Sequence, residues 1–165
     1  MLRPVTALRS LVFAVFALSA CVSSRDHQLP PLPACPAFSV SENQIRVPAN
    51  GDPIPLTTNR LTHIRFAPGA VPVGTTYNVN AVTREDGEKL AGVGFTGGIA
   101  EFGAAVILRI SYVGCPDILA NEDKRLRIVI KDANGNETSI GGFKNPTEHY
   151  VEAYVPHFTD FAIAL

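Results

Sequence analysis

A chain of 165 residues with 14 Lys and Arg against 15 Asp and Glu carries a formal net charge of −1. It contains no run of bases that could neutralise a series of phosphates, which excludes the electrostatic footprint of a nucleic-acid binder. Thirteen Gly, 13 Pro, no Trp and a single Met make a turn-rich profile that favours short strands over helices in one domain-sized core.

Residues 1–20 have the parts of an export signal: Arg3 and Arg9 as a basic start, Leu11 to Leu18 as an apolar run, then small residues. The apolar run is about half of the roughly 20 residues that a bilayer core requires, which argues against a permanent transmembrane helix. Leu18-Ser19-Ala20-Cys21 resembles the lipobox of bacterial lipoproteins, an aliphatic residue, a small residue, Gly, Ala or Ser, and then Cys. The resemblance implies that the signal is cut before Cys21, that the Cys21 sulfur carries a diacylglycerol and that the new amine is acylated. Two or three acyl chains, at about 0.8 kcal/mol per buried CH2, anchor a protein where one chain does not. The expected location is the bacterial cell envelope, lipid-anchored through Cys21. Val22, in place of the Asp that tends to hold lipoproteins in the inner membrane, favours the outer membrane, facing the periplasm or the cell surface.

With Cys21 assigned to lipid, Cys35 and Cys115 are an even pair in an oxidising compartment, and a disulfide is expected. A metal-binding or reactive pair would need ligand spacing such as C-x-x-C, which is absent. Residues 21–36 read as the lipidated Cys and a Pro-rich tether, polar at first and then stiffened by Pro30, Pro31, Pro33 and Pro36. Residues 37–165 read as the domain.

From Phe38 onward the apolar residues recur with period two, the mark of strands with one buried face. Thr62, Ile64 and Phe66 alternate with His63 and Arg65; Tyr77, Val79 and Ala81 with Asn78 and Asn80; Val106, Leu108, Ile110 and Tyr112 with Ile107, Arg109 and Ser111. Leu126, Ile128 and Ile130 form another such face. Asn134-Gly135 supplies the positive φ of a tight hairpin, from which Glu137 to Phe143 returns antiparallel. Tyr150 to Val155 and Phe161 to Leu165 close the chain. Turn signals at Asn50-Gly51-Asp52-Pro53, Pro68-Gly69, Glu85-Asp86-Gly87-Glu88, Gly97-Gly98 and Gly141-Gly142 separate these runs. The spacing predicts an all-β antiparallel β-sandwich of about seven to nine strands, with one short helical turn within Ile118 to Lys124.

Ile64 to Val79, I-R-F-A-P-G-A-V-P-V-G-T-T-Y-N-V, resembles the opening motif of the ZU-five domain. Phe102 to Tyr112 resembles that family's F-x-x-P-V-x-L-x-I-x-Y strand, and Val151 to Ala164 its closing segment around His-Phe-Ser. Ala105, Thr159 and Phe161 stand where the family has Pro, Ser and Tyr. The resemblance spans most of Val40 to Leu165 and implies a β-sandwich used as an interaction and spacer module, as in ankyrins, netrin receptors and death-domain scaffolds, without a general enzymatic activity. Some members cut themselves at His-Phe-Ser. Here His157-Phe158-Thr159 keeps a base two residues before a hydroxyl nucleophile, so cleavage at Phe158-Thr159 is chemically open, against a structural role for the same residues in a corner.

Other motifs are weaker. Gly92-Val-Gly94-Phe-Thr-Gly97 fits G-x-G-x-x-G by letter, but no helix follows, and a glycine strand or loop accounts for it. Asp132, Asn134 and Asn136 begin like a calcium loop, but Glu137 occupies the position that requires Gly. The four histidines, His27, His63, His149 and His157, show no zinc-binding spacing. No cofactor is expected. Tyr150, Glu152 and Tyr154 fall on the strand face opposite Val151, Ala153 and Val155 and form a candidate binding face. Ile107 and Val129 are apolar on nominally polar faces, which calls for a covering loop or partner. Three functions fit: a non-enzymatic envelope lipoprotein that meets another envelope protein or a cell-wall component, a self-cleaving domain, or a glycan- or small-ligand-binding sandwich. The last requires a concave aromatic-lined patch.

Overall fold

The computed structural model describes residues 31–41, 43–97, 102–131 and 136–165; the signal, the lipobox, Cys21 and the Asn134-Gly135 turn lie outside them. The described residues form one packed unit beginning at Pro31. Its strands are β1 Gln44–Arg46, β2 Ile54–Pro55, β3 His63–Phe66, β4 Thr76–Thr83, β5 Lys89–Thr96, β6 Val106–Ser111, β7 Arg127–Lys131, β8 Glu137–Gly141, β9 Phe143–Asn145, β10 Tyr150–Tyr154 and β11 Asp160–Ala164, with one four-residue helix, α1 Pro116–Leu119. A six-stranded sheet in the order β1-β4-β5-β11-β7-β8 packs on a five-stranded sheet in the order β2-β3-β6-β10-β9. Every pairing is antiparallel. The all-β sandwich is as expected. It has eleven strands, above the seven to nine anticipated, because β1, β2 and β9 are only two or three residues long.

Alternation decides which residues fill the space between the sheets. Ile64 and Phe66 of β3, Leu108 and Ile110 of β6 and Val151 of β10 point in from one sheet; Tyr77 and Val79 of β4, Val93 and Phe95 of β5 and Phe161 and Ile163 of β11 point in from the other. Burying these apolar side chains, at about 25 cal/mol per Å² of area removed from water, is the main stabilising contribution. The return from β7 is shorter than the anticipated Glu137 to Phe143. At Gly141 and Gly142, with φ of 81° and 143°, the chain leaves the six-stranded sheet, and Phe143 opens β9 in the other.

β5 had no alternating signature because six of its eight residues are buried. Gly92 and Gly94 belong to this strand and let β11 lie close beside it: a Cβ on Gly92 would come within 2.5 Å of the Phe161 carbonyl oxygen, and one on Gly94 would strike the Asp160 carboxylate. The G-x-G-x-x-G letters are therefore strand residues followed by a turn at Gly97, φ +84°.

The last residues of the expected tether are packed. Leu32 joins Val82, Leu90, Val129, Ala162 and Ala164 in a second apolar cluster on the side of the six-stranded sheet that faces away from the core. Ala34 bridges to Leu90, the Cys35 N–H donates to the Lys89 carbonyl at 2.7 Å, and Arg84 donates to the Leu32 carbonyl at 3.3 Å. Val129 thus has its cover in Leu32, within the packed unit that starts at Pro31. Cys35 and Cys115 are brought to bonding distance, with Cα atoms 4.6 Å apart and 80 residues between them.

Gly92→Ala is expected to lose about 2 kcal/mol of stability, as overpacking at a backbone contact does; equilibrium denaturation would show it, and a neutral result would displace β11 from this register. Replacing Cys35 and Cys115 together by Ser is expected to lower stability by on the order of 4 kcal/mol, the loop-closure effect for a loop of this length. An unchanged denaturation midpoint under reducing and oxidising conditions would show the pair to be unbonded.

Candidate functional site

The outer face of the five-stranded sheet carries the concentration of chemistry that the fold assembles. Register places His63 of β3, Arg109 of β6 and Glu152 of β10 in one cross-strand row, with Phe143 of β9 at its end. The adjacent row runs Arg65, Ile107, Tyr154. Arg109 donates through Nε to Glu152 Oε2 at 3.0 Å, and its terminal nitrogen lies 2.9 Å from the same oxygen. The guanidinium also lies 3.8 Å from the centre of the Tyr150 ring, a stacked cation–π contact. Burial first, then the Arg109 and Arg65 charges, hold the His63 pKa below its ordinary value, with Glu152 opposing.

Beside this row is a recess of about 430 Å³. It is lined by the half-buried Ile107 and Ile140, which make its floor, by Phe143 and Tyr154, and by Glu152, Gly142 and Ala153. Phe143 is 66% exposed and Tyr154 70% exposed. Gly142 is required where the chain crosses between sheets, since a Cβ there would lie 2.6 Å from Val151 Cγ1 at a φ of +143°.

The candidate face of Tyr150, Glu152 and Tyr154 therefore divides. Glu152 and Tyr154 line the recess. Tyr150 is buried under Arg109, and its hydroxyl accepts a hydrogen bond from Asn145 Nδ2 at 3.2 Å, so it supports the site from below. Ile107, apolar on a polar face, is the recess floor. Phe143 was missed; an isolated aromatic directly after Gly-Gly, where a chain changes sheets, was the available signal.

His157, Phe158 and Thr159 occupy the corner between β10 and β11, with different surroundings. Phe158 is packed among Phe66, Tyr77, Phe95 and Phe102, with ring centres 4.4 to 6.1 Å from its own. His157 is exposed. The Thr159 hydroxyl donates to the Lys131 carbonyl at 3.4 Å, and the Thr159 carbonyl accepts from the Phe95 N–H at 3.2 Å. The corner residues have no positive φ. The Thr159 hydroxyl is thus directed at β7, while the Phe158 ring packs against the core.

A second polar cluster lies where the loop after α1 meets the turn before β10. The Glu122 carboxylate accepts from the Tyr112 hydroxyl and lies 2.9 Å from His149 Nδ1, while Lys144 Nζ donates to the Glu122 and Lys124 carbonyls at 2.5 and 3.2 Å. His149 has a φ of 53°, left-handed backbone that a non-glycine residue adopts at a cost of about 1 kcal/mol or more. Its carbonyl accepts from the Tyr112 N–H at 2.9 Å, which helps to hold it there. Among the described residues no three His, Cys, Asp or Glu side chains converge as a metal site would require.

No protein-family model matches the chain, and no curated protein is significantly similar to it in sequence.

The Tyr112 hydroxyl, then His149, hold the Glu122 carboxyl below the usual carboxylate range. A carboxyl depressed by folding contributes stability that is present above its unfolded pKa, about 4.3, and is lost as pH falls through the lower folded value. Glu122→Gln is therefore expected to melt below the parent protein at pH 7 and to converge on it as the pH drops below about 4. Parallel melting curves across that range would show that the network adds no stability.

Proposed function

We propose that this chain is a lipid-anchored bacterial envelope protein whose ZU-five-like sandwich is a non-enzymatic interaction module. Leu18-Ser19-Ala20-Cys21, placed after a basic and then an apolar stretch of the right length, carries the reading. The Cys35–Cys115 pair at bonding distance accords with an oxidising compartment. The three segments that resemble the ZU-five pattern lie side by side: the first provides β3 and β4, the second β6, and the third β10 and β11, with β3 pairing β6 and β6 pairing β10.

The lipid is the first partner in this reading, through Cys21, with the outer membrane as the favoured site. The second is an envelope protein or cell-wall component met by the recess face. Arg109, Glu152 and Tyr150 hold one another in place there, and side chains fixed before binding lose less entropy on contact. The corner geometry supports a structural role for Phe158-Thr159 of the His157-Phe158-Thr159 motif, because the Thr159 hydroxyl donates to Lys131 and the half-buried Phe158 ring packs against the core.

Intact-mass spectrometry of the full-length chain produced in a bacterial host tests both parts. The expected mass is that of a chain beginning at Cys21, carrying two or three acyl chains and uncut at Phe158-Thr159, with Cys21→Ser losing the lipid mass. A wild-type chain without lipid would remove the anchor, and a fragment ending at Phe158 would replace the structural reading of the corner by self-cleavage.

A further inference from the structure

We propose that the recess between Phe143 and Tyr154 is a carbohydrate subsite that takes a pyranose ring of an uncharged oligosaccharide. The inference rests on reading the sandwich as a binding module and is independent of the lipid anchor.

Size narrows the class of occupant. A recess of about 430 Å³ lies within the range of roughly 300–1,000 Å³ in which small-molecule sites fall. A stable protein interface covers about 800 Å² per partner. The exposed large apolar side chains elsewhere, Leu61, Val73, Val113 and Leu119, do not line the recess, so its apolar surface is local. From Glu152 the row continues outside the recess through its ion-pair partner Arg109 to His63. A protein partner would have to cover that row as well, whereas a sugar ring would need only the recess.

The chemistry narrows it further. Two exposed aromatic rings and an Ile floor offer electron-rich and apolar faces, which suit the C–H faces of a pyranose. A purely apolar ligand would leave the Glu152 carboxylate against hydrocarbon, which is costly. Glu152 is also a prepared acceptor. Both of its contacts with Arg109 go to Oε2, which leaves Oε1 lone pairs for a hydroxyl or amide donor. Arg109 is itself fixed by stacking on Tyr150, so the carboxylate is held without help from the ligand. The negative charge is already balanced by Arg109, so the pair does not select a charged sugar. A ring that is apolar on its faces and carries hydroxyl donors at its edge satisfies the rings, the floor and the carboxylate together.

The test is titration of the full-length chain, in micelles of a sugar-free detergent, with chitotriose, cellotriose and maltotriose, read by saturation-transfer NMR and calorimetry. Chitotriose carries the N-acetyl groups of a wall glycan and the other two do not, so the arms separate those sources. Saturable binding of at least one trisaccharide is expected. Tyr154→Ala and Phe143→Ala should each weaken it about tenfold, Glu152→Gln by a similar factor, and Tyr154→Phe less than threefold. Phe143 and Tyr154 are largely exposed, so their variants should keep the parent melting temperature, and that measurement accompanies each titration. Absence of binding of all three sugars at 20 mM, or equal binding by the parent and both alanine variants, would overturn the proposal. Dimerisation of the free chain that Tyr154→Ala abolishes would overturn it in favour of a second copy on this face. Photo-crosslinking from position 154 to an envelope protein, with no sugar bound, would overturn the sugar and keep the interaction module.

Discussion

Phe158 occupies the point at which the chain passes from one sheet to the other, and much of the sandwich depends on how it is seated there. Its ring meets Phe66 from the five-stranded sheet and Tyr77 and Phe95 from the six-stranded sheet, with Phe102 alongside. Buried aromatic rings contribute large areas and prefer edge-on or offset contacts, and this cluster has both kinds. Seating Phe158 fixes where β10 ends and where β11 begins. β11 then enters between β5 and β7, in the interior of its sheet, and that position imposes the need for small residues at Gly92 and Gly94. The Thr159 hydroxyl and carbonyl, bonded to Lys131 and Phe95, fasten the start of β11 to both neighbours. A hydroxyl residue in the closing motif therefore has a use in the fold itself.

How much of this was legible follows from which faces are buried. β3 and β6, and β4 over its first half, have one face on the core and one on solvent or a polar row, so period two could be read directly. β5 is buried on both faces and contains two glycines forced by packing, so its letters imitate a nucleotide-binding loop and hide a strand. β9 is three residues long, too short to leave a pattern. The proline-rich composition of 21–36 describes a linker, but a single Leu32 is enough to hold its end on the sheet. The trace of that contact was Val129, an apolar residue on the wrong face with its cover far away in sequence.

The recess was half legible for a similar reason. Parity along β10 correctly placed Tyr150, Glu152 and Tyr154 away from the core, because parity depends on one strand alone. It could not tell that Arg109 lies over Tyr150, or that Phe143 stands across from Glu152, because both require cross-strand register. Register here is set partly by Gly141 and Gly142, which bring the chain out of one sheet and into the edge of the other. The site is thus a consequence of a sheet-switching turn, which single-strand patterns do not reveal.

The two outer faces of the sandwich have divergent uses. On the six-stranded sheet, Leu32 covers the apolar strip of Val82, Leu90, Val129, Ala162 and Ala164, and Cys35 beside it is paired with Cys115, so the chain enters the packed unit there along a fastened segment. On the five-stranded sheet the comparable apolar residue, Ile107, has no such cover among the described residues and lines a recess with Phe143 and Tyr154. Leu32 packs on the first face, and the recess lies on the second. Leu32 and the Cys35–Cys115 pair distinguish the faces: one of them holds the segment from Leu32 to Cys35, and on the other Phe143 and Tyr154 are left exposed by the described residues.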